Sequence, residues 1–335
     1  MTDRMPSTSF LPPIESWSTW SSLFDNERLW RPVIDAICDS HGIHYRTIDT
    51  PRSNTNAVFL LDRRLIVKIY SPFWSEFEIE PRLLEVLKAN AAVPVPTIVA
   101  EGKYRDRVTW KYLVLEYSSG HTLPAIRAEI TRDDILAISR QVGLVVRALH
   151  DTDVGPLDGL DTGESWDALV DRRRRDALVE LTQMQLIGPA VVEELAHTLD
   201  HVLSDQDSSP RTLLHGDLES DHILLNKLNG EWSVTCLIDF GDARIGVHDY
   251  EWMPLWLGLF DRDIEAMRAF LETYDRRLLT DDEFPRRLTA WTLLHDFGAD
   301  AVVRLLRRSN VPTPVQTLAE LREVCWPALV TTCST

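Results

Sequence analysis

The sequence predicts an α+β protein built as a small sheet lobe followed by a larger helical lobe. Three observations carry this. Nearly all of the strand signal lies before residue 118, and helical periodicity dominates after it. The exception is one hairpin between Leu213 and Glu251, where Asn229–Gly230 joins two apolar runs. The flexible stretch Ser118–Gly120 marks the lobe boundary, giving lobes 1–117 and 118–335, with a helical leader at 14–41 inside the first.

Composition narrows the function classes. A chain of 335 residues with 44% hydrophobic and 26% charged residues has ample material for a buried core. Its net charge of −17 argues against nucleic acid as a partner, because phosphate binding needs concentrated Lys and Arg. The same acidity favours a cationic small molecule, although acidity also serves solubility alone. Cys38, Cys236, Cys325 and Cys333 show neither pairing nor metal spacing and fit a reducing compartment. The first residues lack an apolar signal core, and the longest apolar stretch, MPLWLGLF, is too short to span a bilayer. A cytoplasmic protein with no membrane partner is expected.

From Ile14 to His41, aliphatics and tryptophans alternate with acids, as in helices packed on a lobe; Trp17, Trp20 and Trp30 are read as packing residues. Val58–Leu61 and Leu65–Ile69 read as strands joined at Asp62–Arg64. Just before them, Arg52-Ser53-Asn54-Thr55-Asn56 is small and polar, so its backbone amides can approach a phosphate, although the segment has no glycine. Lys68 sits in the apolar run LIVKIY, where a buried ammonium needs an anion. Judged by itself, it reads as an edge-strand lysine facing solvent. The segment EFEIEPRLLEVLK has Ile79, Leu83, Leu84 and Leu87 at helical spacing, with Pro81 expected in the first turn. Glu76, Glu78 and Glu80 are each candidate partners for Lys68. VPVPTIVAEG is extended, and Tyr112–Glu116 is a buried strand.

In the second lobe, Ile135, Ile138, Val142, Val145, Val146 and Leu149 form one helical face, capped by Thr131 or Asp133. The run Arg172–Arg175 is read as a solvated helix face. Helical pattern resumes at Ala190–Leu203 and continues after the hairpin, through LTAWTLLHDFGADAVVRLLRR. In the hairpin, His215-Gly216-Asp217 precedes Ile223–Leu225, and Asp239 lies just past the returning strand SVTCLIDF. A hairpin brings its ends together, so Asp217 and Asp239 are expected to project into one shared space. Two carboxylates so placed suit a base and a metal ligand, the pairing that phosphoryl transfer needs.

HGD, a candidate metal ligand five residues on and a hairpin into IDFGD, preceded in order by the polar loop, VKIY, a helix with Glu80, YLVLEY and ALH, resemble the aminoglycoside phosphotransferase family. The resemblance covers about residues 50–300 and implies a protein-kinase-like fold. SNTNAVF, VPVPT and LLHDF look most like the hygromycin B branch. It implies transfer of the γ-phosphate of ATP or GTP to a hydroxyl of an aminoglycoside or aminocyclitol antibiotic, hygromycin B being the best guess. Asp217 would accept or orient the proton of the attacking hydroxyl, and Asp239 and His222 would hold Mg²⁺. Lys68, positioned by Glu80, would neutralise nucleotide phosphates beside the loop residues Ser53, Asn54 and Asn56. The backbone at Glu116, Tyr117 and Ser118 would meet the base. His215 would be a structural partner within its loop, and Glu251, Asp296 and Asp300 would lie on the substrate side, Glu251 also supporting the catalytic loop. The chain departs from the family in having His222 where Asn is usual, no glycine in the phosphate loop, and Glu251 where Asp is usual. A macrolide or choline-like kinase, and a catalytically silent nucleotide-binding protein, are the alternatives.

Overall fold

The computed structural model describes residues 11–51, 53, 55–74, 76–157, 159, 163–206, 209–309, 311–327 and 329. They form two compact units. One comprises the described residues of Met1–Ser119, Gly159–Thr162 and Ile238–Gly241; the other comprises those of Gly120–Asp158, Gly163–Leu237 and Asp242–Thr335.

The first unit is built on an antiparallel sheet of β1 (Ile48–Asp49), β2 (Ala57–Leu61), β3 (Leu65–Ile69), β4 (Ile98–Arg105) and β5 (Thr109–Glu116), in the order β1-β2-β3-β5-β4. Helices α1 (Trp17–Ser21) and α2 (Glu27–Ser40) supply the aromatic half of its core. Trp20 stacks on Trp110 of β5 with ring centroids 5.5 Å apart, and Trp30 meets the same ring edge-on at 5.3 Å. These two tryptophans are fully buried, whereas Trp17 remains 40% exposed and packs edge-on against Phe73 and Trp74. The burial of β3 on both sides corrects one sequence expectation. Lys68 lies on a central strand, with Leu113 of β5 opposite and Val58 of β2 on the other side, and is 6% exposed.

Helix α3 (Glu76–Leu87) presents Ile79, Leu83, Leu84 and Leu87 to the core. Pro81 is its sixth residue rather than part of its first turn, so the helix forgoes the bond that an amide there would give to the Phe77 carbonyl. The β4–β5 hairpin extends beyond the segments legible in the sequence, with β4 alternating strictly between half-buried and exposed positions.

The second unit opens with β6 (His121–Thr122), which pairs with β8 (Ile223–Leu228), itself paired with β9 (Glu231–Leu237). Asn229 and Gly230 link β8 to β9 with φ of 53° and 92°, as the Asn-Gly signal predicts. β7 (Thr212–Leu214) pairs with β10 (Arg244–Gly246), which fixes the segments flanking the HGD loop and the turn after IDFG. Around these strands pack α4 (Arg132–His150), α5 (Trp166–Gln183), α6 (Pro189–Gln206), the short α7 (Trp252–Pro254), α8 (Ile264–Tyr274), α9 (Phe284–Leu294), α10 (Gly298–Arg308) and α11 (Leu318–Cys325). Thr131 caps α4 in a full capping box with Asp134.

The arginine run on α5 is a solvated face only in part: Arg174 and Arg175 are exposed, but Arg172 is half-buried and Arg173 buried. Arg173 is 4% exposed and donates from Nε to the His295 carbonyl at 3.1 Å, while Arg172 reaches Glu164 and Asp296, each at 2.8 Å. Among the described residues no helix is long and apolar enough to cross a membrane.

Candidate active site

Each unit carries one half of the candidate set. In the first, Lys68 projects from β3 into carboxylates. Its Nζ donates to Glu80 Oε2 at 2.6 Å and to Asp239 Oδ1 at 2.7 Å, and it lies 4.0 Å from Glu76 Oε2. Tyr70, two residues along the same strand, donates its hydroxyl to Glu80 Oε2 at 2.6 Å. Burial works against the ammonium, but Asp239, Glu80 and Glu76 outweigh it and hold its pKa above the ordinary lysine value. Lys68 is therefore charged at every physiological pH. Of the three glutamates read as its partners, Glu80 makes the direct bond, Glu76 stands one helical turn earlier, and Glu78 pairs instead with Lys111.

Asp239 follows β9 with φ +66°, a left-handed conformation that costs a non-glycine residue energy and that aspartate tolerates better than most. Its side chain is 45% exposed, unlike the buried Lys68 and Glu80 on which it rests. The chemistry of this carboxylate fits Mg²⁺, which takes hard oxygen donors, commonly one or two protein carboxylates with phosphates and water completing the shell. Among the described residues, no three His, Cys, Asp or Glu side chains are gathered in a ready-made metal cage.

The sequence-selected loop residues lie in the same unit. Asn54 lies outside the described residues. Ser53 is half-buried, and Asn56 is 3% exposed with its side chain turned inward. Asn56 Oδ1 accepts the Ser71 amide at 2.9 Å, and its Nδ2 donates to Glu76 Oε2 at 2.6 Å. Its backbone alone is thus left for the role expected of this loop. At the end of β5, the Glu116 amide donates to the Thr97 carbonyl and the Tyr117 amide to that of Arg64; Glu116 is exposed, and Tyr117 and Ser118 are half-buried.

In the second unit, the HGD loop is held from several directions. Glu251 is fully buried and accepts the amides of His215 at 2.7 Å and Gly216 at 3.1 Å. Burial opposes its charge, but His150, 3.5 Å away, together with His215 keeps its pKa below the ordinary glutamate value. Glu251 offers no face to a substrate, which corrects its placement on the substrate side and leaves it as the support of this loop. Gly216 takes φ +84°, and a Cβ there would lie 2.3 Å from the Asp242 carbonyl oxygen, so only glycine fits.

The Gly216 carbonyl accepts a hydrogen bond from His295 Nε2 at 3.1 Å. His295 Nδ1 in turn accepts the Phe297 amide at 3.3 Å, which assigns its proton to Nε2. Burial pushes the pKa of this imidazole down to about 4, so it stays neutral, stacked on Tyr250 at 4.3 Å. His215 is fully buried, and its Nδ1 accepts the Asp217 amide at 3.4 Å.

Asp217 itself is half-buried. His222 Nδ1 lies 2.5 Å from the Asp217 carbonyl oxygen and 3.8 Å from its carboxylate. The carbonyl contact places a proton on Nδ1, so any metal bond from His222 would use Nε2. A nitrogen donor suits Mg²⁺ less well than Asp239 does.

Two acids expected near a substrate behave differently. Asp296 is bound by Arg172 at 2.8 Å and Arg244 at 3.4 Å; burial would raise its pKa, but the two guanidiniums lower it. Its charge is already matched. Asp300, in the first turn of α10, is exposed. Sequence reasoning missed His295, Arg173 and His150 as parts of the loop's support. Glu76 was legible only as one of three acids, since its position one turn before Glu80 does not reveal that Asn56 meets it.

The sequence profile of the phosphotransferase enzyme family matches residues 44–291. Among solved structures, the GDP complex of wild-type aminoglycoside 2'-phosphotransferase-IIIa is 19% identical, with a TM-score of 0.61 over 90% of this chain and 97% of that one. A thermostable mutant of aminoglycoside phosphotransferase APH(4)-Ia, in a ternary complex with ADP and hygromycin B, gives 19% identity and a TM-score of 0.54 over 87% and 95% of the two chains. At these identities the likeness is one of fold. Lysine-specific demethylase JMJ21 of Arabidopsis thaliana is 21% identical over 206 residues, 51% of this chain, and the chain spans 22% of that protein's length.

Proposed function

The chain belongs to the phosphotransferase enzyme family, and from that premise we propose that it transfers the γ-phosphate of ATP or GTP to a hydroxyl of a cationic aminoglycoside or aminocyclitol. Hygromycin B is the finer substrate assignment, supported by the LLHDF segment and by the fold likeness to the ADP and hygromycin B complex of APH(4)-Ia. The observation that carries the reading is the buried Lys68, held at once by Glu80 and Asp239.

In this reading Lys68 neutralises nucleotide phosphates, with Glu80 and Tyr70 fixing its direction. Asp217, on a loop braced by Glu251 and His295, receives or orients the proton of the acceptor hydroxyl. The backbone of Glu116, Tyr117 and Ser118 meets the base, and Ser53 and its neighbours meet the phosphates through their amides. Positioning and charge neutralisation do most of the work, since the transferring phosphoryl group needs little covalent help. One ammonium faces three acids, Glu76, Glu80 and Asp239, so an anionic nucleotide entering this environment needs a divalent cation with it. Asp239 would hold the Mg²⁺ that supplies that charge compensation. Recognition of a cationic acceptor falls to acids other than the matched Asp296, with the exposed Asp300 a candidate.

The test is nucleotide consumption with ATP and GTP against aminoglycosides, macrolides and choline, with product mass read for each. An aminoglycoside that gains one phosphoryl group is expected. Turnover confined to a macrolide or choline would replace the substrate class. Nucleotide binding with no turnover on any acceptor would replace the kinase with a silent nucleotide-binding protein.

A further inference from the structure

We propose that Glu76 is a positioning residue that ties the polar loop before β2 to Lys68 and to the turn carrying Asp239. This rests on the nucleotide-handling role argued above for those segments. Glu80 already gives Lys68 a short ionic bond, so a second carboxylate one turn away is not needed to satisfy that lysine. Glu76 nevertheless stands at a junction of three segments. Its Oε2 accepts Asn56 Nδ2 at 2.6 Å and lies 4.0 Å from Lys68 Nζ. On a third side is Gly241 of IDFGD, where a Cβ would come within 2.8 Å of the Glu76 carboxyl group. The closeness of that approach makes the turn after Asp239 sensitive to where Glu76 sits.

Asn56 completes the link. It is the last residue before β2, 3% exposed, and its Oδ1 accepts the Ser71 amide just after β3, so the end of the loop is held to Glu76 and to the β3 side rather than to solvent. A carboxylate is costly here: burial raises the Glu76 pKa to about 7, with Lys68 opposing the rise and Asp239 adding to it. Groups held against their own solvation in this way concentrate at functional sites.

The experiment uses the full chain and compares Glu76→Ala, Asn56→Asp and the pair Asn56→Asp with Glu76→Gln. For each, KM for the nucleotide, KM for the acceptor, kcat and the thermal midpoint are measured. Glu76→Ala is expected to raise the nucleotide KM about tenfold with the acceptor KM unchanged. Asn56→Asp sets two carboxylates against each other and is expected to do the same. The pair restores a hydrogen bond with donor and acceptor exchanged, and should return the nucleotide KM to within about threefold of the original. A merely structural role would lower the midpoint without this split between the two KM values and without rescue.

A nucleotide KM unchanged in Glu76→Ala, or no rescue by the pair, overturns the proposal. If Glu76→Ala does not fold, the Asn56→Asp comparison decides alone, with rescue supporting the proposal and its absence overturning it. Normal turnover by the original protein alongside unchanged variants would sink this inference only. Failure of the original protein to bind ATP or GTP at all would remove the kinase reading itself.

Discussion

A neutral imidazole against the HGD loop has a pH signature, and His295 is the residue to carry it. Its Nε2 proton is committed to the Gly216 carbonyl and its Nδ1 lone pair to the Phe297 amide, so protonation breaks an existing bond. The folded pKa of about 4 lies below the ordinary value of 6.5, so the native state binds fewer protons than the unfolded one across that interval. His295 therefore contributes in full above about pH 6.5 and loses that contribution as pH falls toward 4, by about 3 kcal/mol in total. Denaturant unfolding from pH 7 down to 4 should show this slope, and His295→Asn should flatten it. An unchanged slope in the variant would place the acid sensitivity elsewhere. Glu251 acts on the same loop from its amide side, so the backbone before Asp217 is held by both supports.

The elements divide by how local their causes are. The β2–β3 and β8–β9 hairpins, the face of α3 and the cap of α4 were legible because a turn pair, a periodicity or a capping box acts within a few residues. Lys68 was not legible as a central-strand residue, since pairing of β3 with β5 depends on a strand more than forty residues later. The same holds for Arg173, whose carbonyl partners at Leu293 and His295 lie over a hundred residues away, and which four consecutive arginines disguise as surface. The carboxylates of the candidate site were legible as a set, with Glu80 and Glu251 as supports through the family resemblance, but His295, Arg173 and His150 were not, because their bracing is a tertiary relation with no spacing of its own. A purely local prediction follows for α4. Thr131→Ala removes the acceptor for the Asp134 amide and should lower stability by about 1 kcal/mol in chemical denaturation while leaving kinetics unchanged. A loss of kcat/KM without a loss of stability would show that this cap, despite its exposure, serves the site.

At the scale of the whole molecule, the chain joins a sheet unit that holds Lys68, Glu80 and Asp239 to a mainly helical unit that holds Asp217 and His222. The connection is direct in sequence, because β9 ends in the second unit at Leu237 and the next four residues, Ile238–Gly241, belong to the first. That crossing is why a hairpin, rather than either lobe, is the feature from which the sequence can be read. The net charge of −17 then has a use beyond solubility if the acceptor is a polycation, since steering would raise its encounter rate and weaken with salt. The central claim of the proposed kinase function is that Asp217 handles the acceptor proton. It is tested most directly by comparing the original protein with Asp217→Asn in transfer of labelled γ-phosphate from ATP or GTP to an aminoglycoside. The account predicts that the variant binds nucleotide with a Kd within about threefold of the original while kcat falls by about 10²–10⁴. Turnover retained near the original rate would contradict it.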